Sequence, residues 1–211
     1  VKLFLASYRF GVHVARFVAL TRNRPRVAVI ANAADAWPAA ARDSALASEM
    51  TGLRRLGLDP FELDLRQFRG RPDELATELD SAGTLWVRGG NTFVLRSQLA
   101  RCGAEDPIVS RVRNGDLVFA GYSAGACVAS PTLRGVETAD DPADVEAVGG
   151  DVVWSGLGLI DTAVVPHYGS ILDDTDAARS MVARFEREQI DHLTLTDEQV
   201  IVVDGDRFER I

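Results

Sequence analysis

Short apolar runs separated by polar turns set the rhythm of the first 129 residues. Residues 2–7, 26–33, 84–87 and 117–120 are nearly continuous in apolar character, and 61–65 alternates. Runs of that length, bounded by turn residues, predict strands, and the continuous ones predict strands buried on both faces. Between them the spacing becomes helical. Residues 12–20 can form a helix. Residues 39–56 carry Leu46, Met50 and Leu53 on one face, with Gly57 to stop the helix. Residues 72–79 open with Pro72, which a first helical turn tolerates. Leu95 and Leu99 mark a further helix, and 107–113 another.

The pattern weakens after Ser130. Residues 138–151, with Glu137 just before, are rich in acids (Asp140, Asp141, Asp144, Glu146, Asp151) and poor in apolar residues, so a surface loop is expected there. A strand follows at 159–165, ending at Pro166-His167-Tyr168. An amphipathic helix is expected over 175–189 (Met181, Val182, Phe185), then short strands at 192–195, 200–204 and 207–211.

Strands alternating with helices predict an α/β fold: a mostly parallel sheet with helices on both faces and a small antiparallel extension at the C-terminus. The 211 residues are expected to form a single domain, with no repeat or linker. In such sheets ligands bind beyond the C-terminal strand ends. Asn91, Ser123 and His167 each follow a predicted strand, so all three should share one sheet edge.

Charge narrows the function. The formal net charge is −8, which argues against nucleic acid or an anionic membrane surface as a partner. No apolar run approaches the roughly 18 residues of a membrane span. The N-terminus reads as a first strand rather than a signal peptide, so a cytoplasmic location is expected. Cys102 and Cys127 have no metal-binding spacing and suit a reducing compartment, where both stay free. Nothing in the residues implies a metal or an organic cofactor.

The stretch Gly121-Tyr122-Ser123-Ala124-Gly125 follows a buried strand and runs into small, helix-compatible residues. A glycine-flanked serine on a strand-to-helix turn can present its hydroxyl as a nucleophile, with the N–H of the next residue, Ala124, as an oxyanion donor. The alternative is a serine that merely caps the helix. A serine needs a base. Of the three histidines, His13 has no motif around it and His192 begins a late strand. His167 follows a strand and the stiff Pro166, on the edge expected for Ser123. The acid that holds a base histidine could come from Asp173, Asp174 or Asp176, or from the adjacent Asp197 and Glu198 in a turn between two strands. Gly89-Gly90-Asn91 offers a second backbone donor, Gly90 N–H. It matches neither a dinucleotide fingerprint nor a P-loop.

Taken in order, Gly-Gly-Asn-Thr-Phe, Gly-Tyr-Ser-Ala-Gly-Ala and Pro-His-Tyr resemble the peptidase E family of aspartyl dipeptidases, as do the opening Leu-Phe-Leu-Ala-Ser-Tyr and the closing acid-turn-strand. The resemblance covers nearly the whole chain. It implies a fold like that of class I glutamine amidotransferases, a flavodoxin-like three-layer sandwich. It also implies a serine exopeptidase or dipeptidase acting on short peptides, those with an N-terminal aspartate among them. Ser123 would be the nucleophile and His167 the base. Gly90 and Ala124 would donate to the oxyanion, and Asp197 would be the acid, or Glu198 if the turn is one residue longer. Asn91 and an arginine after the Pro-His motif, Arg179 or Arg184, would bind substrate. The family's arginine has no unambiguous counterpart here, so strict aspartate specificity is a weaker expectation than serine peptidase chemistry. A cyanophycinase-like or other amide hydrolase, and a catalytically silent binding protein, are the alternatives. Homo-oligomer formation is left open.

Overall fold

The computed structural model describes residues 1–171 and 176–211. Seven strands form one sheet in the order β3-β2-β4-β5-β1-β8-β9. The strands β1 (Lys2–Ala6), β2 (Arg26–Ile30), β3 (Asp59–Glu62), β4 (Thr84–Val87) and β5 (Val118–Tyr122) are all parallel. The antiparallel extension is β8 (Val200–Asp204) along β1 and β9 (Arg207–Arg210) along β8. The strands β6 (Ala163–Val165) and β7 (His192–Thr194) stand apart as a parallel pair. The short strand expected at 192–195 thus lies outside the antiparallel extension.

Alternation along the central strands builds two cores. Leu3, Leu5, Ala28, Ile30 and Phe119 face one side. There they meet α3 (Pro72–Asp80), α4 (Thr92–Arg101) and α5 (Glu105–Arg113) through Leu75, Leu79, Leu95, Leu99, Ile108 and Val112. Phe4, Ala6, Val27, Val29 and Trp86 face the other side. They are covered by α1 (Val14–Leu20) through Phe17 and Leu20, and by α2 (Ala39–Arg55) through Leu53. A sheet buried on both faces is why its strands read as continuous apolar runs. A third cluster, with Phe93, Val136, Ala163, Met181 and Phe185, packs α7 (Ala177–Glu188) and β6 beside α4.

Element ends follow local chemistry. Gly57, at φ 78°, ends α2, with Leu58 N–H returning to the Leu53 carbonyl at 3.2 Å. The second strand was expected to run to residue 33, but it stops at Ile30 and a 3-10 turn, Asn32–Ala34, follows. Buried Asn32 diverts the chain. Its side chain donates to Asp35 and Asp64 at 2.8 and 3.1 Å and accepts from Leu65 N–H at 3.2 Å. The stretch expected to be a surface loop contains a 3-10 helix, Pro142–Val148, and buries Val145.

Candidate active site

The chain leaves β5 and enters α6 (Ala124–Cys127) through Ser123, whose φ of 52° and ψ of −118° are unusual for a residue with a Cβ. Three glycines make this turn sterically feasible. A Cβ on Gly121 would meet the Gly125 carbonyl oxygen at 2.7 Å, and one on Gly125 would meet the Val87 oxygen at 2.1 Å. A Cβ on Gly89 would lie 2.9 Å from the Ser123 Cβ. The Ser123 carbonyl accepts from Ala126 and Cys127 N–H, each at 2.9 Å, which starts the helix. Its hydroxyl makes no cap hydrogen bond, so the helix-capping alternative is excluded. Instead Ser123 Oγ lies 3.0 Å from His167 Nε2.

His167 follows β6, so it reaches Ser123 from the second sheet rather than from the edge of the main one, as had been expected. Its φ of 60° is a second left-handed position in the site. Its N–H donates to Ser7 Oγ at 2.7 Å, and the next N–H, of Tyr168, donates to the Leu195 carbonyl at 3.0 Å. These bonds fix the imidazole, and its Nδ1 lies 2.7 Å from Asp197 Oδ1. Asp197 sits in the β7–β8 turn, closed by Gln199 N–H to the Thr196 carbonyl at 2.9 Å. Ser7 Oγ donates to the same carboxyl oxygen at 2.9 Å, and Ser170 Oγ donates to the other. Burial alone would push the Asp197 carboxyl up. The hydrogen bonds from Ser170, His167 and Ser7 outweigh it and hold the group below the usual carboxylate range. Ser123, His167 and Asp197 thus form a continuous hydrogen-bonded chain.

Glu198 does not join that chain. It is exposed, and its carbonyl accepts from Val12 N–H at 3.3 Å. Asp176 is also exposed and lies 3.6 Å from Arg179. Asp173 and Asp174 lie outside the described residues. His192 Nδ1 is 3.0 Å from the Ile190 carbonyl, and His13 stands at the start of α1. Neither histidine lines the cavities described below.

Ala124 and Gly90 line the space around Ser123. Ala124 opens α6, where an N–H has no partner within the helix. Gly90, at φ 148°, lies where an added Cβ would meet the Ala33 oxygen at 2.6 Å. Asn91 N–H donates to that same carbonyl at 2.9 Å, which locks the loop onto the Asn32–Ala34 turn. Asn91 is chiefly a cap: its Oδ1 accepts from Phe93 and Val94 N–H at 2.9 and 3.0 Å. Its Nδ2 donates to the Asp141 carbonyl and to Asp144 at 2.8 and 3.0 Å, tying the acidic stretch to the site.

Two cavities meet at Ser123 and His167. One, of about 340 Å³, is lined by Cys127, Val136, Ala139, Ala177, Ala178 and Met181, with Asp140 at its border. The other, of about 440 Å³, is polar: Arg9, Arg88 and Trp37 contribute to it, as do Asp140, Asp141 and Asp144. Arg88 packs its guanidinium 5.0 Å from the Trp37 ring centroid and donates to the Gly89 carbonyl at 2.8 Å. Asp140 accepts from Thr92 N–H at 2.8 Å, and burial pushes its carboxyl up. Neither arginine expected to read the substrate lines either cavity. Arg179 is exposed on α7, and Arg184 is engaged by Glu137 and Glu188 at 2.9 and 2.8 Å. The residues the sequence reading missed are Ser7, Arg88 and the acids at 140, 141 and 144. Among the described residues no group of three or more His, Cys, Asp or Glu side chains could hold a metal ion, and no helix is long and apolar enough to cross a membrane.

Residues 11–211 match the family model of peptidase family S51. A peptidase E of Streptomyces coelicolor is 33% identical over 150 residues, 69% of this chain and 58% of that protein. An uncharacterized peptidase of Listeria innocua is 34% identical over 119 residues, 56% of this chain and 54% of that protein. The matched region thus spans a little over half the length of these curated relatives. A solved structure from Listeria monocytogenes EGD-e, of a protein provisionally assigned to peptidase E, superposes with a TM-score of 0.82 at 26% identity, covering 100% of this chain and 97% of that one. A peptidase from an acI-B1 Actinobacterium shares the fold, with a TM-score of 0.72 at 19% identity over 100% of this chain and 86% of that one.

Proposed function

The chain belongs to peptidase family S51, and from that premise we propose that it is a serine-type exopeptidase of short peptides working through Ser123, His167 and Asp197. The observation that carries this is the run of contacts Ser123 Oγ to His167 Nε2 at 3.0 Å and His167 Nδ1 to Asp197 Oδ1 at 2.7 Å.

In this reading His167 holds its proton on Nδ1, donating to Asp197, and offers a bare Nε2 to the serine. As Ser123 Oγ attacks the scissile carbonyl carbon, its proton passes to Nε2. The carbonyl oxygen becomes an oxyanion that accepts from Gly90 and Ala124 N–H. The imidazolium then protonates the leaving amine, and the C–N bond breaks to leave an acyl ester on Ser123. Water, deprotonated by Nε2, attacks that ester; the C–O bond to Ser123 breaks, Nε2 returns the proton to Oγ, and the acid is released. Asp197, held ionised by its three donors, stabilises the imidazolium through both halves.

The preference for short peptides rests on the polar cavity. Cationic Arg9 and Arg88 and anionic Asp140, Asp141 and Asp144 line one small space, which suits the two opposite terminal charges of a dipeptide. The test is dipeptide hydrolysis by the native chain and by Ser123→Ala. The variant is expected to lose measurable turnover while keeping its circular dichroism spectrum. Unchanged turnover in the folded variant would end the proposal.

A further inference from the structure

We propose that the first residue of the substrate carries an apolar side chain, seated in the cavity lined by Val136, Ala178 and Met181, and that aspartate is excluded from it. This rests on Ser123 being the nucleophile, and it deepens that reading by naming the substrate class.

The cavity opens directly at Ser123 and His167, so whatever occupies it belongs to a residue flanking the scissile bond. Its walls are aliphatic and sulfur-bearing: Cys127, Val136, Ala177, Ala178 and Met181. All five are buried. Among the described residues lining it there is no arginine or lysine. The arginines that could have supplied a positive charge from α7 are occupied elsewhere. Arg184 pairs with Glu137 and Glu188, and Arg179 stands exposed beside Asp176. The carboxyl group that borders the cavity is that of Asp140, and the histidine there is His167, held by Ser123 and Asp197. A substrate carboxylate placed here would lose its water, meet no arginine or lysine and face the acceptor oxygens of the Asp140 carboxyl.

The two cavities also assign direction. A residue's side chain and its α-amine spring from one carbon, so their sites must adjoin. Asp140 borders both cavities, and its carboxylate is fixed by Thr92 N–H at 2.8 Å. An ammonium there would be paired. Arg9 and Arg88 line the polar cavity alone, where the carboxylate of the second residue would reach them. The first residue therefore points its side chain into the apolar cavity and its amine at Asp140.

The experiment is a kcat/KM comparison of Leu-Ala, Met-Ala, Asp-Ala and Lys-Ala for the native chain, Ser123→Ala and Ala139→Arg. Ala139 is exposed at the rim of the apolar cavity, so an arginine there can be accommodated without disturbing the core. Leu-Ala and Met-Ala are expected to exceed Asp-Ala by at least about 100-fold. Ala139→Arg is expected to narrow that ratio by about tenfold or more, by supplying the missing cation. Asp-Ala or Lys-Ala as the best substrate of the native chain, with Ser123→Ala inert, would overturn the specificity and leave the nucleophile standing. No turnover of any dipeptide would overturn both.

Discussion

Ser7 donates its hydroxyl to Asp197 Oδ1 at 2.9 Å across 190 residues of chain, and Ser7 Oγ itself accepts the His167 backbone N–H at 2.7 Å. One fully buried serine at the end of β1 therefore sets both the acid and the backbone of the histidine. Ser7→Ala removes an acceptor from a polar N–H and a donor from a carboxylate. The expected cost is about 1–3 kcal/mol of stability, read by urea unfolding, and a fall of about tenfold in kcat with KM little changed. Ser7→Thr, which keeps the hydroxyl, should restore most of the kcat. A purely structural serine would give a stability loss with kcat intact.

Asp197 and Glu198 are adjacent in sequence but differ in what they touch. Asp197 accepts from His167, Ser7 and Ser170, whereas Glu198 is exposed and meets Val12 through its backbone. Asp197→Asn should lower kcat by on the order of 10²–10⁴, because an amide can turn its NH2 towards Nδ1 and favour the wrong tautomer. Glu198→Gln should change kcat less than about twofold, as for an exposed charge outside the network. A larger effect at Glu198 would move the acid role to it.

Gly125 is a packing requirement of the serine turn. A Cβ there would meet the Val87 carbonyl oxygen at 2.1 Å, and the β4 backbone cannot retreat without breaking its pairing with β5. Gly125→Ala is expected to lose more than the roughly 1–3 kcal/mol of ordinary overpacking, measured by the shift in urea midpoint. Gly52→Ala is the control, since a Cβ there meets nothing within 4 Å and Gly52 lies within α2. It should be neutral to stabilising.

The central strands were legible because a sheet covered on both faces leaves unbroken apolar runs, and Thr84–Val87 was read to the residue. The serine turn was legible because its glycines are local. What failed to show were residues whose meaning is long-range. Ser7 looks like any strand-end serine until residues 167 and 197 arrive. Glu49 and Arg42 sit in an alanine-rich helix like solvent-facing charges, yet both are buried. Glu49 accepts from Trp86 Nε1 at 2.9 Å and Tyr122 OH at 2.6 Å, beneath the serine turn. Arg42 donates to Asp35 and Glu62 at 2.7 and 2.8 Å. The acids at 140, 141 and 144 read as a solvated run because their partners, Asn91 and Thr92, lie some 50 residues earlier. Asp141-Pro142 was the local signal available: Asp141 accepts from Ala143 N–H at 2.9 Å and starts the 3-10 helix there.

Asp64 gives the chain a defined acid limit. It is buried, and burial alone would raise its pKa. Hydrogen bonds from the Arg66 side chain at 2.9 Å, Asn32 at 3.1 Å and Arg66 N–H at 3.1 Å outweigh that and lower it to about 2. The folded value lies below the ordinary value near 3.9. The resulting stability, roughly 2 kcal/mol, is therefore fully present above about pH 4 and is lost as pH falls through about 2. Asn32 also anchors the turn that receives Asn91 N–H, so loosening Asp64 should be felt at the Gly90 loop. Urea unfolding at pH 6 and at pH 2.5 tests this with the native chain and Asp64→Asn. The variant should be less stable at pH 6, and the gap should shrink at pH 2.5. An equal gap at both values would mean that Asp64 does not carry the acid dependence.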